Sequence, residues 1–512
     1  MAQTSKSVKL RSKQNKVTEL KQQGNIAFQL LLKSQQGDLD VDLKELLAYQ
    51  LTPVPYSLGT ADGFLVKTDK SALFHILTKN IDSSDTPPED DLLTVVDGNA
   101  AFHAMVQVPK TFRDICIKVL DMMPKTCDVV FSTDMYKNDS IKAMERQRRG
   151  TSDKIILSGE ATKRPVDWAA FLSNDDNKSQ FIKLLLQVWS SDNQATKFKG
   201  RKVIIVCEGK AYKLTSLDGV HTLRENMPDL DSNQEETDTR IVIYCKYGND
   251  QGYKYITVRS PDTDVFFILT YYAKLIDTAT VLFDTGKGNK RRLINITEFC
   301  SGMTPDYSAA LLSLHAITGC DTVSAFKGRG KKKPLKALQN HPQFIETLAK
   351  LGEKWDVDED FFDELQAFIC VIYGRSQFRH VDNLRFYLLQ EKCDREESVN
   401  ANTNIDLSSF PPCSKSLKQH VKRANYQTAI WKRSHVPNAD IPNASEGHGW
   451  HVSDGILQPL WTEEVEELTL PESVIDDLVR ESERNEDDQS ESEDIDYYDF
   501  DFGDQENDNE EW

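Results

Sequence analysis

Carboxylates recur in this chain at the points where apolar, β-branched runs end. Asp97 directly follows residues 92–96, and Asp262 and Asp264 come shortly after the run that ends at Val258. In an open α/β sheet, ligands bind in the crevice outside the carboxyl ends of the strands, so acids at these points would converge. The full candidate set is Asp97, Asp134, Glu236, Asp238, Asp262, Asp264 and Asp321.

So many carboxylates around one pocket cannot all stay ionised without cations, because like charges a few Å apart oppose ionisation. An all-oxygen ligand set suits Mg²⁺ or Mn²⁺ better than Zn²⁺. Two such ions roughly 3.5–4 Å apart would hold the attacking water and the leaving oxygen of a phosphodiester. The acidic set therefore predicts the chemistry of a metal-dependent nuclease.

A second candidate site follows Asp321. Gly328 and Gly330 form a Gly-x-Gly turn that runs into Lys331 and Lys332. Backbone N–H groups at such a turn, followed by lysines, suit a phosphate of a nucleic-acid backbone. A nuclear-import patch and a solvated face are the other interpretations of this lysine run.

Apolar runs and helix-like segments alternate along the middle of the chain and must form the frame that positions the acids. Strands are predicted at residues 92–96, 128–131, 203–206 and 255–258, and helices at residues 142–149, 168–189 and 240–246. This alternation predicts an α/β domain with a mostly parallel central sheet over residues 91–345. A mainly helical region is predicted for residues 346–470.

Charge is distributed unevenly along the 512 residues. The chain has a net charge of −19, of which −17 lies in residues 471–512, where 19 acidic residues face two arginines. This acidic segment is poor in aliphatic residues and is predicted to be disordered. Three interpretations stay open for it: a solvated end, an inhibitor that mimics DNA, or a contact for a basic protein partner.

The cysteines and the termini bear on location. Nine cysteines are scattered without a C-x-x-C pair, which argues against a disulfide framework and a structural zinc site. The first residues lack the apolar core of a secretory signal, and no apolar run reaches the roughly 18 residues of a membrane helix. An intracellular protein without a membrane partner is predicted, with the nucleus as its compartment.

In order and type, the acidic motifs resemble those of the flap endonuclease/XPG group of 5′ nucleases, within the PIN-like superfamily. The resemblance begins at Asp97 and Asp134, continues through Glu236-x-Asp238 and Asp262-x-Asp264, and ends at Gly319-Cys320-Asp321. It covers about residues 90–345, and residues 315–345 are similar to the helix-hairpin-helix element of that family. Residues 51–56 and 422–431 also resemble a group of invertebrate proteins with a link to mobile elements.

The resemblance implies a structure-specific nuclease that cleaves branched or 5′-ended nucleic acid, DNA in preference to RNA. It implies that the seven acids bind two Mg²⁺ ions and that the hairpin grips the duplex backbone with the help of a monovalent cation. It also places basic residues beyond Asp134 at the scissile phosphate. Here these are Lys142 and Arg148 as catalytic candidates, with Arg146 and Arg149 as neighbouring nucleic-acid contacts.

The chain departs from this family at two places. About 90 residues form an arm and extension before the first motif, and Ser132 and Thr133 are inserted before Asp134. Two alternatives to the nuclease stay open. One is a PIN-like module that binds nucleic acid or protein without cutting, and the other is a nucleotide-sugar transferase that uses Asp262 and Asp264.

Overall fold

The computed structural model describes residues 43–50, 52–81, 86–88, 90–137, 140–150, 152–395, 407–453 and 455–462. The predicted disordered tail, residues 471–512, lies outside the described residues, as does the arm up to residue 42. The described part of the chain comprises the extension from residue 43, the central sheet, its flanking helices, the C-terminal helices and a terminal β-ribbon.

An eight-stranded sheet forms the centre of the molecule. Its strands are β1 (Leu92–Asp97), β2 (Asp128–Ser132), β3 (Val203–Cys207), β4 (Lys210–Thr215), β5 (Leu223–Asn226), β6 (Tyr255–Arg259), β7 (Thr280–Thr285) and β8 (Arg292–Asn295). The order across the sheet is β5-β4-β3-β2-β1-β6-β7-β8. Strands β3, β2, β1, β6 and β7 are parallel, whereas β4, β5 and β8 are antiparallel additions at the two edges. The predicted mixed α/β fold with a large, mostly parallel sheet is confirmed.

Helices cover both faces of this sheet. Before and beside it lie α1 (Leu43–Leu47), α2 (Ala72–Leu77), α3 (Gly98–His103), α4 (Phe112–Met122), α5 (Ile141–Arg149), α6 (Trp168–Leu172), α7 (Asp175–Trp189), α8 (Thr237–Asp250) and α9 (Thr263–Tyr272). After it follow α10 (Ile296–Phe299), α11 (Pro305–Ile317), α12 (Lys332–Asn340), α13 (Phe344–Lys350), α14 (Glu359–Ile372), α15 (Val381–Arg395) and α16 (Ser414–Trp431). A two-stranded ribbon, β9 (Trp450–Ser453) with β10 (Ile456–Pro459), comes last.

The alternation of side chains along β1 explains why the sheet is covered twice. Leu93 and Val95 enter a core built from α8, α9, α11 and the C-terminal helices. Leu92 and Val96 point the other way, into a core built from α3, α4, α6 and α7. Since successive residues of a strand face opposite sides, a strand that is apolar at every position must be buried on both.

The predicted helix over residues 168–189 is two helices rather than one. Asn174 stands between α6 and α7, and its side chain accepts a hydrogen bond from the backbone N–H of Asn177 at 3.2 Å. Asparagine is a preferred N-cap because its oxygen satisfies an N–H that the first turn leaves unpaired. The sequence therefore contained the signal for this break.

The larger core continues from the sheet into the C-terminal helices. It includes Leu311 on α11, Leu365 on α14 and Val421 on α16, and it also contains Leu58 and Leu73 from the extension before β1. The boundaries predicted at residues 90 and 345 stay predictions, but apolar packing runs across both. In the described part of the chain, no helix combines the length and apolar character that a membrane crossing requires.

Candidate metal centre and nucleic-acid surface

The parallel strands bring the predicted acids to one edge of the sheet. Asp97 is the last residue of β1, and β1 pairs in parallel with both β2 and β6. Asp134 follows β2, and Asp262 follows β6 as the N-cap of α9. Glu236 stands at the N-cap position of α8, without a side-chain cap hydrogen bond, and α8 packs on the same three strands. The carboxyl ends of these strands therefore meet the starts of two helices, where the helix dipole favours negative charge.

Three of the acids form a compact group, here called the Asp262 triad: Asp262, Asp264 and Asp321. One carboxylate oxygen from each lies within 4.8 Å of the others. Asp262 is fixed by its cap, since its Oδ1 accepts the backbone N–H of Asp264 at 2.8 Å. Asp321 reaches the group from the connection between α11 and α12. Such a set of oxygen donors from separate segments can hold a hard cation.

A lysine ammonium lies among the carboxylates of the triad. Nζ of Lys70 is 2.9 and 2.8 Å from the two oxygens of Asp262, 3.2 Å from Asp321 and 3.6 Å from Asp264. Burial opposes the charge of Lys70, but the three carboxylates outweigh it and raise its pKa well above the usual value. The negative charge of the triad is thus partly compensated by the ammonium of Lys70.

A second ammonium, that of Lys142 on α5, lies on the other side of Asp321. Its Nζ is 2.9 Å from Asp321 Oδ2 and 3.3 Å from Glu236. Burial again opposes the charge, and Asp321 and Glu236 more than offset it, so the pKa of Lys142 is well above its usual value. Asp321 therefore bridges two cationic positions.

The remaining acids form a neighbouring set, here called the Asp97 group: Asp97, Asp134, Glu236 and Asp238. The backbone N–H of Ala100 and the hydroxyl of Ser260 donate to Asp97 at 3.0 and 3.2 Å. Asp134 accepts the backbone N–H of Thr237 at 2.8 Å. Neutral donors thus hold two of these side chains in place.

The Asp97 group is only partly compensated by positive charge. Burial, and then the proximity of Asp134, raises the pKa of Asp97 to about 7. Burial also raises the pKa of Glu236 to about 7, against the effect of Lys142. Burial and the neighbouring carboxylates raise the pKa of Asp238 as well. A divalent cation would lower these pKa values, because it favours the ionised carboxylates.

Behind the triad, His315 contacts Asp264. Its Nε2 lies 2.8 Å from Asp264 Oδ1, and its ring stacks on Phe267 at a centroid distance of 4.1 Å. Burial lowers the pKa of His315 well below its usual value, so the neutral ring donates its N–H to the carboxylate. The sequence predicts only a packed or capping histidine here. Its contact with a candidate ligand could not be inferred, since α9 and α11 meet only in the folded chain.

The basic residues of α5 have different environments. Lys142 reaches the acids, whereas the guanidinium of Arg146 is 2.6 Å from Asp175 and 2.8 Å from Glu235. Arg146 therefore ties α5 to the start of α7. The side chains of Arg148 and Arg149, the other two candidates on this helix, lie outside the described part of the structure.

The turn before α12 separates its two lysines. Lys331 is 2% exposed, and its Nζ donates to the backbone oxygen of His315 at 2.6 Å, to Thr318 Oγ1 at 3.1 Å and to the oxygen of Gly319. The expectation that Lys331 contacts a phosphate is corrected on this point, because its ammonium is internal. Lys332 is exposed, as are Gly328 and Gly330.

Lys70 is the member of the site that sequence patterns missed. It lies 192 residues before Asp262, in the extension, and no motif surrounds it. A lysine in a polar stretch ordinarily indicates a solvated surface. Only the folded extension brings it to the acids.

Comparisons with known proteins give only weak similarities. No family model and no curated protein matches the chain. Among solved structures, T5 D15 protein co-crystallised with metal ions is similar with 13% identity and a TM-score of 0.29, over 67% of this chain and 97% of that one. T5 5′-exonuclease with divalent zinc ions bound is similar with 13% identity and a TM-score of 0.28, over 65% of this chain and 99% of that one. At these values the acidic site itself has to support any function.

Proposed function

We propose that the protein is a divalent-metal-dependent nuclease that hydrolyses phosphodiester bonds in branched or 5′-ended nucleic acid. One observation supports this most: Asp262, Asp264 and Asp321 present carboxylate oxygens within 4.8 Å of one another, and the ammoniums of Lys70 and Lys142 lie against this group. A site that attracts two monovalent cations into an all-oxygen environment is chemically suited to two hard divalent ions. Mg²⁺ or Mn²⁺ is the proposed cofactor.

The carboxylates divide naturally between two ions. The Asp262 triad would hold one, and Asp97, Asp134, Glu236 and Asp238 would hold the other, with Asp321 near both. Bound ions would supply Lewis acidity for the phosphate and lower the pKa of a water nucleophile. Asp262 and Asp97 keep their orientation through helix-cap hydrogen bonds, and His315 fixes Asp264, so the chain holds its ligands before an ion arrives.

Positive groups around the acids would bind the substrate. Lys142, and Arg148 on the same helix, are proposed to face the scissile phosphate, where negative charge develops. Arg146 and Arg149 would contact the nucleic acid nearby. The exposed Gly328, Gly330 and Lys332 are proposed to contact the phosphate backbone of a nucleic-acid duplex. They would do so as part of a helix-hairpin-helix element with a bound monovalent cation. DNA is the proposed substrate, and the nucleus the proposed compartment.

A non-cutting binding module is the second candidate. The observation in its favour is that the ammoniums of Lys70 and Lys142 form ion pairs with the carboxylates of the acidic cluster and neutralise part of its charge. A domain that had lost catalysis could use such lysines to stabilise its fold permanently. Binding of nucleic acid would then persist through the exposed basic turn.

A cleavage panel separates the two candidates. End-labelled single-stranded, duplex, 5′-flap and RNA substrates are incubated with Mg²⁺, Mn²⁺ or EDTA, and the wild type is compared with Asp262→Ala. The nuclease proposal expects products that need the metal and vanish in the variant, while salt-sensitive binding remains. Binding without cleavage under either metal would favour the module.

A further inference from the structure

The extension before β1 is built into the site rather than appended to it. Its Leu58, Leu73 and Phe74 are buried in the larger core. The backbone oxygen of Val66 accepts the N–H of Ala325 at 2.8 Å, and that of Ser57 accepts the N–H of Lys327 at 2.9 Å. These bonds attach the extension to the connection that carries Asp321.

Within the extension, the backbone at Lys70 is fixed while its side chain is long and flexible. Asp69 Oδ1 accepts the backbone N–H and the hydroxyl of Ser71 at 3.0 and 2.6 Å, which anchors the start of α2. Lys70 therefore presents its ammonium from a set position. A lysine side chain has a flexible four-carbon stem, so its ammonium can move by several Å while the main chain stays in place.

We propose that Lys70 is a built-in cation that occupies the Asp262 triad in the metal-free protein and must be displaced when a divalent ion binds there. This inference rests on the proposed metal site. Lys70 thereby sets the metal affinity of the triad and keeps the three carboxylates together until the ion arrives.

The geometry excludes simultaneous occupancy. The ammonium contacts both oxygens of Asp262 and one oxygen each of Asp321 and Asp264, all within 3.6 Å. A hard divalent ion needs the same oxygens at roughly 2.0–2.6 Å, so the two cations compete for one ligand set. If the triad is free of Lys70 in about one molecule in ten, the apparent metal affinity is about tenfold weaker than the intrinsic affinity.

The chain offers a matched control in Lys67, three residues earlier in the same segment. Its ammonium is 3.2 Å from the Glu145 carboxylate on α5 and also donates to the main-chain oxygen of Asp321. Lys67→Met and Lys70→Met remove the same charge from the same segment and keep a side chain of similar length. Of these two lysines, Lys70 contacts the carboxylates of the triad, whereas Lys67 contacts the main-chain oxygen of Asp321.

The experiment is a calorimetric Mn²⁺ titration without nucleic acid, on the wild type, Lys70→Met, Lys67→Met and Asp262→Asn. Lys70→Met is expected to bind its first ion about tenfold more tightly than the wild type. Lys67→Met should stay within about threefold, as expected for a partly exposed ion pair. Equal affinities for Lys70→Met and the wild type, or equal gains in both methionine variants, would overturn the inference.

The same titration distinguishes this inference from the nuclease proposal. Mn²⁺ binding by the wild type that Asp262→Asn removes, together with an unchanged Lys70→Met, refutes only the competition by Lys70. An absence of Mn²⁺ binding in both the wild type and Lys70→Met contradicts the metal site itself and both proposals with it.

A second measurement on the wild type does not depend on the folding of a variant. Amine labelling by acetic anhydride, quantified at each lysine by mass spectrometry, compares protein in EDTA with protein in Mn²⁺. Lys70 should gain reactivity several-fold when the ion displaces it, and Lys67 should not change. Equal labelling of Lys70 in both conditions would mean that its ammonium stays in the triad, contrary to the proposal.

Discussion

The two parts of the acidic site are compensated in different ways. In the Asp262 triad, Lys70 lies against all three carboxylates and His315 donates to Asp264. In the Asp97 group, backbone N–H and hydroxyl groups hold Asp97 and Asp134, and Lys142 approaches Glu236 at 3.3 Å. The triad carboxylates therefore already face an ammonium, whereas burial raises the pKa values of Asp97, Glu236 and Asp238 in the less compensated Asp97 group.

This difference predicts the order in which two divalent ions bind. An ion at the triad would take the place of the Lys70 ammonium among carboxylates that already face a positive charge. An ion at the Asp97 group would meet carboxylates whose pKa values burial has raised, so we expect its affinity to be lower and to fall further as the pH falls. We expect the first divalent ion to bind at the triad and the second to bind more weakly, aided by the phosphates of the substrate.

Loss of a triad ligand should have the largest effect. Asp262→Asn removes a carboxylate charge but keeps an oxygen for the helix cap. Single-turnover cleavage with Mg²⁺ should fall by about 10³-fold or more, since a lost ligand costs more than the 10–100-fold of an outer contact. Asp250→Asn, on the exposed end of α8 where Asp250 pairs with Lys246 at 2.8 Å, is the control and should cleave normally. Comparable activity in both variants would remove the triad from the mechanism.

Loss of a charge in the Asp97 group should reduce cleavage less than loss of a triad ligand does, and it should leave the first ion in place. Asp97→Asn keeps the cap of α3 because the amide oxygen can still accept the N–H of Ala100. Cleavage should fall about 10²-fold, the scale of a lost electrostatic contact in the transition state. Calorimetry should show one Mn²⁺ site lost and the tighter one unchanged. Loss of both sites would show that the two parts cannot be separated.

His315 contacts Asp264 of the triad, so its loss should affect the triad more than the Asp97 group. His315→Ala should weaken the first Mn²⁺ site about tenfold, since a contact that orients a ligand is lost. It should also lower the free energy of unfolding by about 3 kcal/mol through the cavity it leaves. Calorimetric titration and denaturant unfolding measure the two effects.

His420→Ala is the matched control for that variant. His420 is equally buried and its Nε2 donates to the backbone oxygen of Ile317 at 2.9 Å, away from the carboxylates. It should be destabilised to a similar extent and bind Mn²⁺ as the wild type does. Equal losses of metal affinity in the two variants would mean that general loosening, and not orientation of Asp264, is responsible.

The smallest effect on activity is expected at the turn before α12. There we expect the buried Lys331 to contribute to stability and the exposed Lys332 to contribute to nucleic-acid binding. Lys331→Met should lower the free energy of unfolding by about 2 kcal/mol, since it leaves buried carbonyl groups without a donor. Lys332→Met should leave stability unchanged and reduce the salt dependence of DNA binding by about one charge. Denaturant unfolding and binding at several salt concentrations test the pair, and the reverse assignment would contradict the orientation of this turn.

Much of the sheet could be predicted because parallel strands that are buried on both faces have continuous apolar sequences. Residues 92–96 and 203–206 show this directly, and the acids that follow such runs had to meet at one edge. Strand β5 could not be found in this way, since all four of its residues are exposed and show no apolar pattern.

The contacts made across long stretches of sequence were beyond prediction. Lys70 meets Asp262 over 192 residues, and His315 meets Asp264 over 51. Neither pair has a local signal, because both depend on how the extension and α11 pack. The burial of Lys331 was also beyond prediction, since a lysine within a run of lysines is expected to be exposed to solvent, whereas this one is buried.

The position of Mn²⁺ in crystals of the protein, located by its anomalous scattering, tests the two-part metal site most directly. We expect one strong peak within the Asp262 triad, a weaker one at the Asp97 group, and the ammonium of Lys70 withdrawn from Asp262. A crystal soaked in saturating Mn²⁺ with no peak at the triad, and with Lys70 still against Asp262, would contradict it.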